Sequence, residues 1–264
     1  MNTTKIRPYI ISAVFVAAWV FCGWIFRLGT VSYCLIGIPF VMAFQLMICR
    51  RPLHQLWVRD AESFHLDRIG VMLAIAIIAV QAALFWRFLL PWHIWGALFL
   101  FLVIIGSVGF AYALRQQRAD RFKQALPSFV VAVFIGCILV WTLKHSLTVS
   151  FSTMPALLKN FIRVLPYVFV IDEVVFRGLL DSYVAPSSGS RRVQWISAIF
   201  ISALWGFWHM WHTQVLLDFA LTFALGVPLS FCWRKSGTLL LPGVAHALLD
   251  AFRDTILYAP SPAA

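Results

Sequence analysis

Apolar residues along the chain form long runs that are separated by short polar connectors. Windows of about 20 apolar residues, the length that crosses the hydrocarbon core of a bilayer, cover most of the sequence. The candidate segments are approximately 9–26, 31–49, 70–90, 94–114, 128–144, 164–184, 193–212, 214–232 and 238–257. This pattern predicts an all-α fold: a polytopic membrane bundle of about eight or nine transmembrane helices.

The composition supports a membrane protein. Apolar residues make up 62% of the 264 residues and charged residues only 12%, whereas a soluble domain carries roughly 25% charged residues. The sequence shows no repeat period and no low-complexity tract, so we expect one membrane domain over residues 1–264. The five cysteines lie singly in apolar segments without a CxxC pair, which is typical of packing residues.

The net charge of +11 comes from basic residues in the connectors. These basic connectors are 50–60, 115–123, 191–192 and 234–235. Counted alternately from a cytoplasmic N-terminus, all four fall on one side of the membrane, as the positive-inside rule requires. We therefore expect an integral protein of a bacterial inner membrane with a cytoplasmic N-terminus. The bilayer, with anionic headgroups near these loops, is the expected partner rather than nucleic acid.

Three charged residues interrupt the apolar run 164–184, in the stretch IDEVVFRGLL. Each ionisable group at the centre of a membrane helix costs about 2.5–3.5 kcal/mol, so these positions need a compensating partner or a function. Glu173 and Arg177 are spaced i and i+4, which places them on one helical face. Asp172 lies about 100° around the helix from Glu173. The spacing predicts a supporting Glu173–Arg177 pair and an Asp172 that faces elsewhere.

Two further apolar segments carry polar residues, in ALWGFWHMWH (203–212) and LPGVAHALLDAF (241–252). His246 and Asp250 share a helical face because they are four residues apart. At about 1.5 Å per residue, His209, His246 and the acids of 164–184 all reach the midplane or the same half of the bilayer. Convergence from three helices predicts a polar intramembrane cavity with a functional site. A purely structural cluster that holds the helices together is the alternative.

These residues fall into three short motifs whose order and spacing resemble those of a known family. The motifs are Asp172-Glu173-Val-Val-Phe-Arg177, Trp205-Gly-Phe-Trp-His209 and His246-Ala-Leu-Leu-Asp250. They resemble the CAAX protease and bacteriocin-processing (Abi) family of intramembrane proteases, which includes the type II CAAX prenyl endopeptidases. The resemblance covers about 160–256, the expected protease-like catalytic core, and leaves 1–150 as accessory N-terminal transmembrane helices.

The chain departs from the family pattern at two motif positions. The first motif of the family begins Glu-Glu, but Asp172 is one methylene shorter than the first of these glutamates. The second motif of the family begins with Phe, and here that position is Trp205. We expect Trp205 and Arg177 to give structural support.

The resemblance also implies catalytic roles. Asp172 would be the general base that activates water together with His209, and Glu173 is the rival base. His246 and Asp250 would supply hydrogen bonds to the developing oxyanion. Asp250 can donate such a bond only when protonated, and otherwise it would orient His246.

The function that the resemblance implies is metal-independent hydrolysis of a peptide bond in a membrane-anchored protein or peptide, with no cofactor. A zinc site made by His209, His212, His246 and Glu173 is one alternative, although the sequence has no HExxH motif. A non-catalytic immunity or scaffold protein that keeps the fold is another, and the change to Asp172 favours it. A proton-coupled transporter would also bury acids and histidines, but no inverted repeat is visible.

Overall fold

The computed structural model of the chain describes residues 3–89, 93–144, 153–185, 189–213 and 216–257. Within these ranges the chain is helical, and the only extended pairing is an isolated antiparallel bridge between Val58 and Thr238. The helices are α1 (Thr3–Ile25), α2 (Thr30–Ala43), α3 (Arg68–Leu89), α4 (His93–Arg115), α5 (Ala119–Lys144), α6 (Met154–Val168), α7 (the π-helix Val174–Asp181 with the turn Ser182–Val184), α8 (Arg191–Thr213), α9 (Leu216–Ser236) and α10 (Leu240–Leu257). A π-helical turn, Phe44–Ile48, follows α2, and a 3₁₀-helix, Leu53–Leu56, follows that turn. The predicted all-α fold is confirmed.

The apolar length of the helices bears on the predicted number of membrane spans. Among the described residues, Ile6–Ile25 and Ala119–Ile138 are long and apolar enough to cross a bilayer, with mean hydropathies of 1.9 and 1.4. Shorter apolar helical stretches are Ser32–Ile48, Arg68–Leu84 and Leu100–Arg115. The predicted count of eight or nine transmembrane helices remains a prediction.

The predicted segment 164–184 is not one continuous helix. Helix α6 ends at Val168, residues 169–171 form a turn, and a new helix begins with Asp172 and Glu173 before it continues as α7. The prediction of one transmembrane helix over 164–184 is therefore wrong. Both acids stand in the first turn of a helix that is too short to span a bilayer alone.

Local hydrogen bonds explain why the helix breaks at this point. The amides of Val170 and Ile171 both donate to the carbonyl of Tyr167, at 2.9 and 2.8 Å, which closes a tight turn. The break leaves the carbonyl of Phe169 outside the helical pattern, and the indole Nε1 of Trp57 donates to it at 2.8 Å. The backbone polar group freed by the break therefore has a partner, as burial in an apolar medium requires.

The connector that carries Trp57 packs closely against α7. The carbonyl oxygen of Leu56 would lie 2.2 Å from a Cβ added at Gly178. Only glycine allows this approach of the 3₁₀-helix to the α7 backbone. The same connector pairs with the α9–α10 turn, because Arg59 donates to the Gly237 carbonyl at 2.8 Å and Leu239 donates to the Trp57 carbonyl at 2.9 Å. The predicted basic loop 50–60 is thus packed against α7 and hydrogen-bonded to the α9–α10 turn.

An aromatic core joins the N-terminal helices to the helices that carry the motifs. Trp19 donates through its indole to the carbonyl of Tyr33 at 2.9 Å, and the Tyr33 hydroxyl donates to the carbonyl of Trp208 at 3.3 Å. The rings of Trp19 and Phe176 both pack edge-on against Trp208, with centroids 5.6 and 5.9 Å away. The hydrophobic core therefore crosses the predicted boundary between accessory helices and catalytic core.

Candidate active site

Three helices bring the motif residues together, as the sequence predicts for a polar site. The helical residues immediately before α7 are Asp172 and Glu173. The second half of α8 supplies Trp205 and His209, and the middle of α10 supplies His246 and Asp250. Contacts below 4 Å join Asp172 to Trp205 and His209, and join His246 to Glu173 and Asp250.

Glu173 lies at the closed side of the site. Its side chain has no solvent exposure, and Nδ1 of His246 lies 2.9 Å from its Oε1. Its other oxygen, Oε2, lies 3.5 Å from Nε of Arg177. A carboxylate can only accept, so the His246 Nδ1 proton is donated to Glu173. Glu173 is therefore committed to two partners from the protein.

Arg177 is buried with Glu173, as their i,i+4 spacing predicts. The contact between them is ionic and lacks hydrogen-bond geometry, so Nε and Nη1 of Arg177 have no hydrogen-bond partner among the described residues. Nη2 donates to the carbonyl of Gly226 at 3.4 Å. The guanidinium carbon lies 4.1 Å from the ring centroid of Trp205, a cation–π contact. A buried ion pair of this kind is strongly destabilising when one partner is removed.

Asp172 points to the open side of the site. Its side chain is 20% exposed, and Oδ1 accepts a hydrogen bond from the Trp205 indole at 3.2 Å. The same oxygen lies 3.9 Å from Nε2 of His209, whose side chain is 26% exposed. Nδ1 of His209 contacts the Trp205 carbonyl at 3.0 Å. Because a carbonyl only accepts, Nδ1 carries the proton, and a neutral ring then presents the lone pair of Nε2 toward Asp172.

His246 stands between two carboxylates. Its Nε2 lies 3.6 Å from Oδ2 of Asp250, while Nδ1 is held by Glu173. Asp250 in turn contacts Nη1 of Arg253 through Oδ1, at 2.9 Å. Sequence reasoning did not identify Arg253, although its i,i+3 spacing from Asp250 was a usable signal.

Trp205 contacts both sides of the site, Asp172 on the open side and Arg177 on the closed side. It is almost fully buried at 1% exposure, donates to Asp172 and stacks beneath Arg177. Its ring lies edge-on to the rings of His209 and His246, at centroid distances of 5.3 and 5.1 Å. The sequence predicts only structural support for this position, and the hydrogen bond to Asp172 was missed. The sequence feature that could have indicated this hydrogen bond is the indole N–H of Trp205, at a position where the family motif has Phe.

The zinc alternative depends on four residues, of which the His212 side chain lies outside the described part of the structure. Within the described residues, no group of three His, Cys, Asp or Glu side chains has a geometry that could hold a metal ion. The Nδ1 atoms of His209 and His246 are engaged by Trp205 and Glu173, so a metal would have to use their Nε2 atoms. Zinc remains an alternative hypothesis.

Comparison with protein families supports the resemblance seen in the motifs. Residues 153–252, less than half of the chain, match the family described as type II CAAX prenyl endopeptidase Rce1-like. The matched segment contains all three motifs and runs from the start of α6 into α10. Comparison with curated proteins and with solved structures finds no match.

Proposed function

We propose that the chain is an intramembrane peptidase in which Asp172 and His209 activate water. Residues 153–252 match the Rce1-like family of type II CAAX prenyl endopeptidases, which supports a peptidase of this type. The observation that carries this proposal is the division between the two adjacent acids. Glu173 is fully buried and contacts His246 and Arg177, whereas Asp172 is partly exposed and faces His209.

The spacing of Asp172 and His209 fits one bridging water. Their facing atoms are 3.9 Å apart, which exceeds a direct hydrogen bond. A water about 2.8 Å from each would subtend an angle near 90° at its oxygen. Oδ1 of Asp172 and Nε2 of His209 are both acceptors in the arrangement described above. Both protons of the water would therefore be bound, and an oxygen lone pair would be left for attack.

Hydrolysis then follows as a general-base reaction. The water oxygen bonds to the scissile carbonyl carbon, the carbonyl π electrons move to its oxygen, and the released proton passes to Asp172. When the tetrahedral intermediate collapses, the C–O double bond re-forms and the C–N bond breaks. The leaving nitrogen takes the proton from Asp172, which yields a carboxylic acid and an amine. A positioned general base of this type contributes about 100- to 10,000-fold in rate.

His246 is the candidate donor for the oxyanion. Because its Nδ1 proton is held by Glu173, the ring can donate from Nε2 only as an imidazolium, and Glu173 and Asp250 supply negative charge on both sides. Because Oδ1 of Asp250 contacts Nη1 of Arg253, the role in which Asp250 orients His246 is better supported than the role in which it donates to the oxyanion. One oxyanion donor is typically worth about 3–4 kcal/mol.

A membrane setting is consistent with the surface and with the broken helix. Large apolar side chains are exposed on the outer faces of α1, α3, α5 and α8, for example Val14 (61%), Ile75 (60%), Phe134 (64%) and Ile199 (46%). Soluble monomers rarely present such surfaces. Non-helical backbone such as 169–171 is tolerated at membrane depth where protein buries it or a cavity adjoins it. We propose a polytopic bundle with a cytoplasmic N-terminus, whose substrate is a membrane-anchored protein or peptide.

A proteolysis assay on the full chain in proteoliposomes tests the proposed function. Reporter peptides anchored by a transmembrane segment or by a C-terminal lipid would be incubated with the wild type, Asp172→Asn and His209→Ala, each with and without a chelator. Cleavage that survives chelation and is lost in both variants is the expected result. Chelator-sensitive cleavage would favour the zinc enzyme, and cleavage that persists in both variants would contradict the proposed site.

A further inference from the structure

Two adjoining cavities open between α5, α8 and α9, away from the proposed active site. The first, of about 600 Å³, is a mainly apolar groove lined by residues such as Pro127, Val131, Trp195, Val227 and Pro228. The second, of about 480 Å³, is lined mainly by polar and charged residues at the ends of the same helices and by Arg59 and Asp60 of the connector 50–60. Gln194, Phe231 and Lys235 line both cavities, so the apolar groove leads directly into the basic cavity.

The basic cavity and the adjoining groove carry a strong excess of positive charge. Their charged lining residues are Arg59, Asp60, Arg121, Arg191, Arg234 and Lys235. Arg234 is already bound to the buried Asp181 by two contacts of 3.1 and 3.0 Å, and Asp60 lies 3.9 Å from Arg59.

The remaining charges are available to a ligand. Arg121 and Arg191 have no carboxylate within 4 Å among the described residues, and Lys235 donates only to the Ser128 hydroxyl, at 3.3 Å. Arg121 lies in the first turn of α5, Arg191 begins α8 and Lys235 is in the last turn of α9. These three helix ends lie on one side of the bundle, the side that carries the predicted cytoplasmic loops.

We propose that this joined cavity is a binding site for an anionic phospholipid. An acyl chain would occupy the apolar groove between α5 and α9, and the phosphate would lie among Arg121, Arg191 and Lys235. Charge complementarity selects the headgroup, because unpaired Lys and Arg side chains at a membrane surface attract anionic lipid. The continuity of the groove with the basic cavity selects a molecule with both an apolar tail and a negative head. A soluble anion would use only the basic end.

Neither cavity is lined by Asp172 or His209. The site is therefore separate from the proposed catalytic water, and its test does not depend on peptidase activity.

Equilibrium binding of fluorescent phosphatidylglycerol to the full-length protein in a mild non-ionic detergent tests the proposal. Competitors would be unlabelled phosphatidylglycerol, phosphatidylcholine with the same chains, and sodium phosphate. We expect competition by phosphatidylglycerol alone. Equal competition by phosphatidylcholine would show a non-specific apolar groove, and full competition by phosphate would show a free-anion site; either result would overturn the proposal.

Matched variants locate the headgroup and the tail. Arg121→Gln/Arg191→Gln should weaken phosphatidylglycerol binding by roughly 10- to 30-fold. The control Lys123→Gln/Arg192→Gln removes the same charge from exposed neighbours that do not line the cavities, and should bind normally. An equal loss of phosphatidylglycerol affinity in the two double variants would show that only the net charge of the protein matters, and would refute the site.

For the tail, Val131→Trp fills the groove, while Val130→Trp adds the same bulk at an exposed neighbour that does not line it. We expect weaker binding of long-chain lipid only in Val131→Trp. Equal affinity of the two variants for long-chain lipid would show that the groove does not bind the acyl chain.

Discussion

The indole Nε1 of Trp205 donates to Oδ1 of Asp172 at 3.2 Å. These are the two motif positions at which the chain departs from the family pattern, and the structure places them in contact. A carboxylate one methylene shorter reaches less far, and an indole N–H supplies a fixed donor that a phenyl ring lacks. We predict that the two departures compensate for each other, because the hydrogen bond from Trp205 can hold the shorter acid in a position that faces His209.

A double-mutant cycle tests this compensation. Trp205→Phe alone removes a hydrogen bond to a charged group, worth about 1.5–3 kcal/mol, and should lower kcat by roughly 10- to 100-fold. Asp172→Glu alone places a longer acid against the indole and should also lose activity. Asp172→Glu/Trp205→Phe restores the family pattern at both positions and should be more active than either single variant. Strictly additive losses in the steady-state rates would contradict the compensation.

The buried pair of Glu173 and Arg177 should dominate the stability of the site. Removing one charge leaves the other unpaired in an apolar interior, so Glu173→Gln and Arg177→Met should each cost about 3–5 kcal/mol of unfolding free energy. Glu173→Gln/Arg177→Met removes both charges and should cost less than the sum of the single variants. Unfolding in detergent, followed by circular dichroism, measures the coupling. Additive costs would mean that the 3.5 Å contact contributes nothing.

Trp57 should affect activity from outside the site. Trp57→Phe keeps an aromatic ring but leaves the carbonyl of Phe169 without its donor, which costs about 1–3 kcal/mol where the group stays buried. Because this carbonyl lies in the turn that precedes Asp172, we expect lower Tm together with lower kcat. The matched control is Trp24→Phe, an exposed tryptophan on α1 whose side chain makes no hydrogen bond among the described residues. A normal kcat in Trp57→Phe would show that the turn does not depend on this bond.

Gly178 should tolerate no side chain. In Gly178→Ala the added Cβ would meet the backbone oxygen of Leu56 at 2.2 Å, and separating α7 from the 3₁₀-helix should cost about 1–3 kcal/mol. At Gly29 an added Cβ meets nothing within 4 Å, so Gly29→Ala is the control and should cost less than about 1 kcal/mol. Thermal unfolding of both variants provides the comparison. Equal Tm values would show that α7 can move away without loss.

The long apolar runs were enough to predict the helices, because a chain in a bilayer must satisfy its backbone internally and helices do so within one segment. The apolar runs did not predict the break in the helix at 169–171. Hydropathy averages over a window, and the turn is made by apolar residues whose carbonyl partner, Trp57, lies 112 residues away along the chain. Long-range partners of this kind leave no periodic signal.

The motif spacings predicted which side chains would meet, but not how they would share their hydrogen bonds. An i,i+4 rule pairs Glu173 with Arg177, and both are buried together. It does not show that His246 from α10 also binds Glu173, since that contact depends on how α10 packs. The sequence left the choice between Asp172 and Glu173 open for this reason. Burial of one acid and exposure of the other is a property of tertiary packing.

The specific activity of folded Asp172→Asn, compared with that of folded Glu173→Gln, tests the central claim most directly. Both variants remove one negative charge without changing side-chain size, and size-exclusion chromatography in detergent isolates the folded fraction of each. We predict that Asp172→Asn folds like the wild type and loses about 100- to 10,000-fold in cleavage rate. Glu173→Gln should give a low folded yield, but its folded fraction should keep clearly more activity than folded Asp172→Asn, because Asp250 still supplies negative charge beside His246. A well-folded, inactive Glu173→Gln beside an active Asp172→Asn would assign the base to Glu173 and contradict the account.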